Sequence, residues 1–224
     1  MGTYDGQSPT DTNMYFSLNM QYIKERWDYR AGRWDSDLSD SSSHLNRKES
    51  YKRFLEIFDK ILSDTNDLEN KSFLDLGCGT GALLEFCSNR FKSSVGIDIS
   101  KEMIERAHQK QLKNVTLLME DCFHYFDTKH CFDVIASRGV LLSHYGYDNS
   151  SILLTKIYNS LNKGGIIFID ALSKNDVTNP SSKKLFTTNE LLRIFNDSGF
   201  EKVDVFSYDN YPLMYVKASK CQFF

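Results

Sequence analysis

Residues 73–81 read Phe73-Leu74-Asp75-Leu76-Gly77-Cys78-Gly79-Thr80-Gly81, and Ala82-Leu83-Leu84 follows at once. Phe73, Leu74 and Leu76 have the apolar character of a short buried strand. The three alternate glycines Gly77, Gly79 and Gly81 remove the side chains that keep a ligand away from the main chain. Ala82, Leu83, Leu84, Phe86 and Cys87 then resume at helical spacing. A strand, a glycine-rich turn and a helix make the local geometry of a nucleotide-type site. Asp75 stands just before the turn, where a carboxylate can face a cation. A plain strand-to-helix connection has no use for three such glycines, each of which carries an entropy cost. A dinucleotide fingerprint spaces its glycines as G-x-G-x-x-G, and a P-loop needs Lys-Ser or Lys-Thr after its last glycine. Here the spacing is G-x-G-x-G, followed by Ala82-Leu83.

Further strands follow in a regular series. Val95-Gly96-Ile97-Asp98-Ile99-Ser100 is apolar and ends in an acid, as does Val115-Thr116-Leu117-Leu118-Met119-Glu120-Asp121-Cys122. Phe132-Asp133-Val134-Ile135-Ala136-Ser137-Arg138-Gly139 reads as a fourth strand. Leu161-Asn162-Lys163-Gly164-Gly165 has the glycines of a helix-ending turn, with Ile166–Asp170 as the strand after it. Asn189–Asn196 is amphipathic and ends at Ser198-Gly199-Phe200. Lys202–Ser207 and Leu213–Ser219 alternate as a terminal hairpin. The pattern predicts an α/β chain with a Rossmann-like, seven-stranded, mostly parallel sheet, an antiparallel C-terminal hairpin and helices on both faces.

The stretch Leu74–Gly81 resembles the first motif of class I S-adenosylmethionine-dependent methyltransferases, and the acid-ended strands and the hairpin extend the likeness over roughly residues 70–220. The resemblance implies S-adenosyl-L-methionine as cofactor, with Asp75, Gly77, Cys78, Gly79 and Gly81 around it. It implies that Asp98 accepts from the ribose hydroxyls, with Met103 and Ile104 beside the adenine and Ile99 among the cofactor contacts. The alternative is a solvent-facing Asp98 beside Ser100, the N-cap of the next helix. Asp121 and Cys122 match the family's adenine contacts, unless Asp121 only ends its strand. Ser137 and Arg138 would lie at the carboxyl end of the fourth strand, where open α/β sheets bind ligands.

The whole chain has 224 residues, enough for one domain of ordinary size. Its formal charge is −3, and its isoelectric point is about 6.0. That balance lacks the basic stripe of a nucleic-acid groove. No apolar run is long enough for a membrane span. Five cysteines (Cys78, Cys87, Cys122, Cys131, Cys221) show no C-x-x-C or zinc spacing, which suits reduced thiols in a cytoplasmic enzyme. No metal is expected, because no carboxylate cluster of the catechol-type enzymes is visible. A homodimer is compatible with this reading, two-fold dimers being common.

Three segments are expected. Residues 1–19 are polar, unlike a signal peptide, and read as a mobile N-terminus. Residues 20–66 read as an N-terminal helical lid, and within it Tyr51, Phe54, Leu55, Phe58, Ile61 and Leu62 have the spacing of a core-facing helix. Residues 67–224 are the cofactor-binding core. The segment around Tyr22, Trp27, Arg33 and Trp34 is dense in aromatic and basic side chains, as in lids that fold over a cofactor and touch the substrate. The plainer reading is that these aromatics anchor a helix.

Methyl transfer is an in-line displacement with a neutral leaving group, so positioning and exclusion of water dominate it. A base is needed only for a protonated nucleophile. His144 has the reference pKa for that task, and Tyr145 and Tyr147 can orient an acceptor. Each has a purely structural reading as well. Arg138 can meet a ligand anion, or tie the lid to Asp28 or Asp35. The Asn/Asp-Pro-Pro-aromatic motif of adenine-N6 and glutamine enzymes is absent from the place that Ser137-Arg138-Gly139 fills, and no Pro-Cys occurs. These departures leave a small-molecule O or N acceptor and no nucleic acid. Two other classes compete: a nicotinamide-dependent oxidoreductase, against which the glycine spacing and the hairpin argue, and a non-catalytic module that keeps only cofactor binding.

Overall fold

Seven strands, β1 (Ser72–Leu76), β2 (Ser93–Asp98), β3 (Val115–Met119), β4 (Phe132–Ser137), β5 (Leu161–Leu172), β6 (Lys202–Phe206) and β7 (Leu213–Ser219), form one sheet of order β3-β2-β1-β4-β5-β7-β6. Strands β1 to β5 run parallel, and β7 is antiparallel to both β5 and β6. The structure is a computed structural model that describes residues 21–38, 47–139, 141–174, 184–209 and 211–221. The expected mobile segment 1–19 lies outside those residues. Among the described residues no helix is long and apolar enough to cross a membrane.

Side chains alternate across a strand, so each strand feeds two cores. On one face Leu74, Ile135, Ile167, Ile169, Met214 and Val216 pack with α6 (Cys122–Tyr125), α7 (Leu141–Asn159) and α8 (Thr188–Asp197). On the other face Phe73, Val134, Ala136, Ile166, Phe168 and Tyr215 pack with α3 (Arg47–Ser63), α4 (Ala82–Phe86) and α5 (Lys101–Gln109). Two further helices, α1 (21–31) and α2 (Trp34–Leu38), precede α3. Helix α8 starts at a capping box: the Thr187 hydroxyl accepts from the Glu190 N–H, and the Glu190 carboxylate accepts from the Thr187 N–H.

Two expectations change. The expected lid, 20–66, divides, because α3 is part of the core. Its Phe54 and Phe58 are fully buried, with ring centroids 4.7 and 5.4 Å from that of Phe168. Only α1 and α2 are left to cover the sheet edge. The apolar spacing of α3 had pointed to the core, and burial of two phenylalanines outweighs a neighbouring lid. The second change is at Gly164-Gly165. Helix α7 already ends at Asn159, and β5 starts at Leu161. Gly164 has φ +73°, and its N–H donates to the Lys220 carbonyl at 3.0 Å. The glycines therefore bend the strand, where its register with β4 shifts. Lys220 also donates from Nζ to the carbonyls of Tyr158 and Leu161, both at 2.9 Å, and so takes over the helix-ending task.

Gly96 on β2 sets how closely α4 approaches the sheet. A Cβ there would stand 2.5 Å from Leu84 Cδ1 and 3.0 Å from Cys78 Sγ. Gly96→Ala should therefore lower unfolding stability by about 1–3 kcal/mol and disturb the glycine turn that Cys78 belongs to. Urea unfolding that matches wild type would show that Leu84 yields at no cost.

Candidate active site

The connections from β1 and β4 leave in opposite directions, which opens a crevice at their carboxyl ends. β1 ends at Leu76 and runs into the glycine turn. The turn is held by β2, since the N–H groups of Gly77 and Cys78 both donate to the Ile97 carbonyl at 2.9 Å. β4 ends at Ser137, whose hydroxyl donates to the Leu76 carbonyl at 2.7 Å. The two strand ends are thus clasped under a cavity of about 960 Å³, part of it open to solvent.

Glycine-turn residues Gly77, Cys78 and Gly79 line the cavity. Gly81 does not. A Cβ on it would stand 3.3 Å from that of Ala107 on α5, so this third glycine serves helix packing. Its φ of +78° at the N-cap of α4 adds a second reason for glycine. Asp98 Oδ2 accepts from the Gly79 N–H at 2.9 Å, and its Oδ1 accepts from the Ser100 N–H at 2.9 Å. Burial pushes the Asp98 carboxyl up to about 6, against the lowering pull of these two bonds. Asp121 is the N-cap of α6, its Oδ1 accepting from the N–H groups of Phe123 and His124. Its other oxygen, Oδ2, is buried and has no partner. Ile99, Met103 and Cys122 complete this end of the cavity.

Asp75 lies beneath the turn and is 2% exposed. Burial, and next the Asp98 charge, push its carboxyl up to about 8, with Arg138 pulling the other way. Its Oδ2 is also buried without a partner. The two residues with these orphan carboxyl oxygens, Asp75 and Asp121, both line one cavity, and Arg138 and His144 are the only basic side chains among its lining residues. A ligand with amino donors and a positive charge fits this donor set, and a polyphosphate does not.

The Arg138 guanidinium is 4.8 Å from the Tyr51 ring centroid. Burial lowers its pKa, and Asp170 is the largest opposing charge. It therefore belongs to a buried cluster with Tyr51, Asp75 and Asp170. It does not tie down the cover through Asp28 or Asp35, which bind elsewhere: Asp28 Oδ1 accepts from the Ser100 hydroxyl at 2.6 Å, and Asp35 Oδ1 from the Thr80 hydroxyl at 2.5 Å.

From the cover, Ile23, Trp27 and Trp34 reach the cavity. The two indoles meet edge to face at 5.1 Å, and the Trp27 ring lies 6.0 Å from that of His144. The Trp34 indole Nε1 would stand 3.2 Å from a Cβ on Gly79, so Gly79 accommodates the cover. Tyr145 also reaches the cavity, with its hydroxyl 3.3 Å from Cys122 Sγ. Burial raises the Tyr145 pKa well above the usual phenol value. It is therefore a neutral hydroxyl.

Besides Gly81, three expected residues are not brought to the site. Tyr22 is 63% exposed. Arg33 is exposed and lies over the Tyr29 ring at 5.8 Å. Tyr147, on α7, packs against the core with its hydroxyl buried there. Tyr22 is next to the inward Ile23 on α1, Arg33 sits in the turn between α1 and α2, and Tyr147 lies one turn beyond His144 along α7, outside the cavity lining. Tyr51 lines the cavity and was missed, because its spacing reads as one more core position of α3. The approach of Arg138 to its ring comes from strands far along the chain.

The methyltransferase-domain family matches residues 67–206. The chain is 30% identical over 118 residues to phosphoethanolamine N-methyltransferase of Plasmodium falciparum, a match over 51% of this chain and 44% of that protein. It is 30% identical over 138 residues to (S)-coclaurine N-methyltransferase of Papaver somniferum, over 59% of this chain and 37% of that protein. The chain thus matches less than half the length of these relatives. In fold it resembles magnesium protoporphyrin IX methyltransferase from Synechocystis, solved with bound S-adenosylhomocysteine, with a TM-score of 0.71 at 16% identity over 90% of this chain and 99% of that one. With a domain match over more than half of its length and the sheet order and glycine turn described above, the chain belongs to the class I S-adenosylmethionine-dependent methyltransferases.

Proposed function

We propose that this chain is an enzyme that transfers a methyl group from S-adenosyl-L-methionine to an oxygen or nitrogen of a small molecule. The observation that carries the proposal is the cavity over Gly77–Gly79, where Asp98 and the unpartnered Asp121 Oδ2 stand ready for a ribose and an amino-substituted ring. When bound, the cofactor supplies an electrophilic methyl carbon on a positive sulfur. The protein's own work is positional. Asp98 presents acceptors for sugar hydroxyls, and Asp121 Oδ2 offers one for an exocyclic amine. The Asp98 carboxylate gives the cavity a negative field that favours a cation, and Asp75, whose carboxyl burial pushes up to about 8, adds to it as it ionises. Trp27, Trp34 and Ile23 limit access of water. His144 faces the same space and can take a proton from a protonated acceptor.

The antiparallel β7 and the family set aside the nicotinamide reading. Phosphoethanolamine and coclaurine, which the relatives' names carry, support a small-molecule acceptor. All five cysteines are free thiols, which supports a cytoplasmic place. A homodimer remains part of the proposal, with size-exclusion light scattering as its check.

Asp98→Ala should weaken S-adenosylhomocysteine binding by about 2 kcal/mol, since it removes a charged acceptor. Unchanged affinity in calorimetry would retire the ribose role. His144→Ala should lower turnover while cofactor affinity stays near wild type. Full turnover at every pH leaves His144 with packing alone.

Asp75 provides a pH signature. Its pKa of about 8 in the folded chain exceeds the 3.8 of an unperturbed aspartate. Between these values the folded state holds a proton that the unfolded state has lost, so stability falls as pH rises. Asp75→Asn should remove that slope. The variant should exceed ligand-free wild type at pH 8 by on the order of 1 kcal/mol or more, and match it near pH 4. Parallel stability–pH curves for the two proteins would mean that Asp75 is ionised throughout.

A further inference from the structure

Two carboxylates of the cover hold two hydroxyls of the core across long stretches of chain. Asp35 and Thr80 are 45 residues apart, and Asp28 and Ser100 are 72 apart. Both hydroxyls are shut off from water, Thr80 at 1% and Ser100 at 0% exposure. A hydroxyl has one proton to give. Thr80 gives it to Asp35. Ser100 gives it to Asp28 while its oxygen caps α5 by accepting from the Met103 N–H at 3.2 Å. The other Asp28 oxygen is 3.9 Å from Lys24 Nζ.

These hydroxyls adjoin the N–H groups that orient Asp98. Thr80 follows Gly79, whose N–H donates to Asp98 Oδ2, and the Ser100 N–H donates to Asp98 Oδ1. The contacts close into a ring: Asp35, Thr80, Gly79, Asp98, Ser100 and Asp28, returning to Asp35 through the cover itself. Trp34, next to Asp35, rests over Gly79 inside the ring. The cover cannot lift without releasing the hydroxyls on both sides of the Asp98 carboxylate.

From this ring we infer that Asp28 and Asp35 are positioning residues. They latch the cover to the two loops that aim Asp98, so that a closed cover and a correctly aimed ribose acceptor are one state. The inference rests on the proposed cofactor reading. It adds that cofactor leaves only when the latch opens, and that Asp28 and Asp35, which line no part of the cavity, control the rate.

Trp27 and Trp34 are the chain's two tryptophans, so selectively excited tryptophan fluorescence reports on the cover alone. The variants are Asp35→Ala, Thr80→Val, the double variant, and Asp35→Asn, whose amide oxygen still accepts from a hydroxyl. Two readouts are acrylamide quenching of the ligand-free proteins and the dissociation rate of S-adenosylhomocysteine in stopped flow. Asp35→Ala and Thr80→Val should each raise quenching and speed dissociation about tenfold, the loss expected for a charge-assisted hydrogen bond. The double variant should be no faster than either single one, and Asp35→Asn should return close to wild type. Quenching and dissociation within twofold of wild type in both single variants would overturn the latch. A wild-type chain that binds no S-adenosylhomocysteine would overturn the cofactor reading instead, and the quenching of ligand-free protein would still decide the latch.

Discussion

The Asp98 carboxylate accepts from two backbone N–H groups on different loops, one in the glycine turn after β1 and one at the start of α5. Charged acceptors make such bonds worth about 1.5–3 kcal/mol each, enough to fix a turn with little internal hydrogen bonding. The turn needs fixing because Gly77 and Gly79 both take positive φ, a region where glycine gives up much freedom on folding. The acid at the end of β2 therefore builds the site before it can serve any ligand. Most of the described site depends on this one group: the path of the turn, the direction of α5 and the seat of Trp34.

The acids in the cavity pull against the stability of the ligand-free fold. Asp75 and Asp98 sit close together in a poorly solvated space, and burial raises both carboxyl pKa values. Arg138 offsets part of this, but it also faces Asp170 and the Tyr51 ring. A cationic guest favours the ionised form of both carboxyls, so the site trades stability when empty for affinity when filled.

Much of the fold is legible in the sequence, because buried parallel strands are apolar runs and the helices between them keep a period near 3.6. Asp75, Asp98 and Asp121 are legible for the same reason: each sits at or just past the end of such a run. The cover is less so. Asp28 and Asp35 read as candidate partners for Arg138, and nothing local tells that Ser100 and Thr80 lie opposite them. Tyr22 carries the chemistry of a site but the wrong helical phase, and Arg33 falls in the turn between α1 and α2. Tyr51 has the reverse problem, since its spacing is that of a core residue. Gly164 shows the limit of turn signals: its backbone is left-handed, as expected, yet it bends a strand and does not end a helix.

The sheet order also bears on how the chain emerges from a ribosome. β7 lies between β5 and β6 although it is made after both. While the segment between Leu172 and Leu213 is synthesised, one side of β5 has no strand to pair with, and it shows a row of open N–H and C=O groups. At roughly 5–20 residues per second this interval is on the order of seconds. The strand left waiting carries Ile167, Phe168 and Ile169, all buried in the finished fold. A nascent chain of this topology thus exposes its stickiest edge until β7 is made, an interval in which neighbouring polysomal copies or a chaperone can reach it.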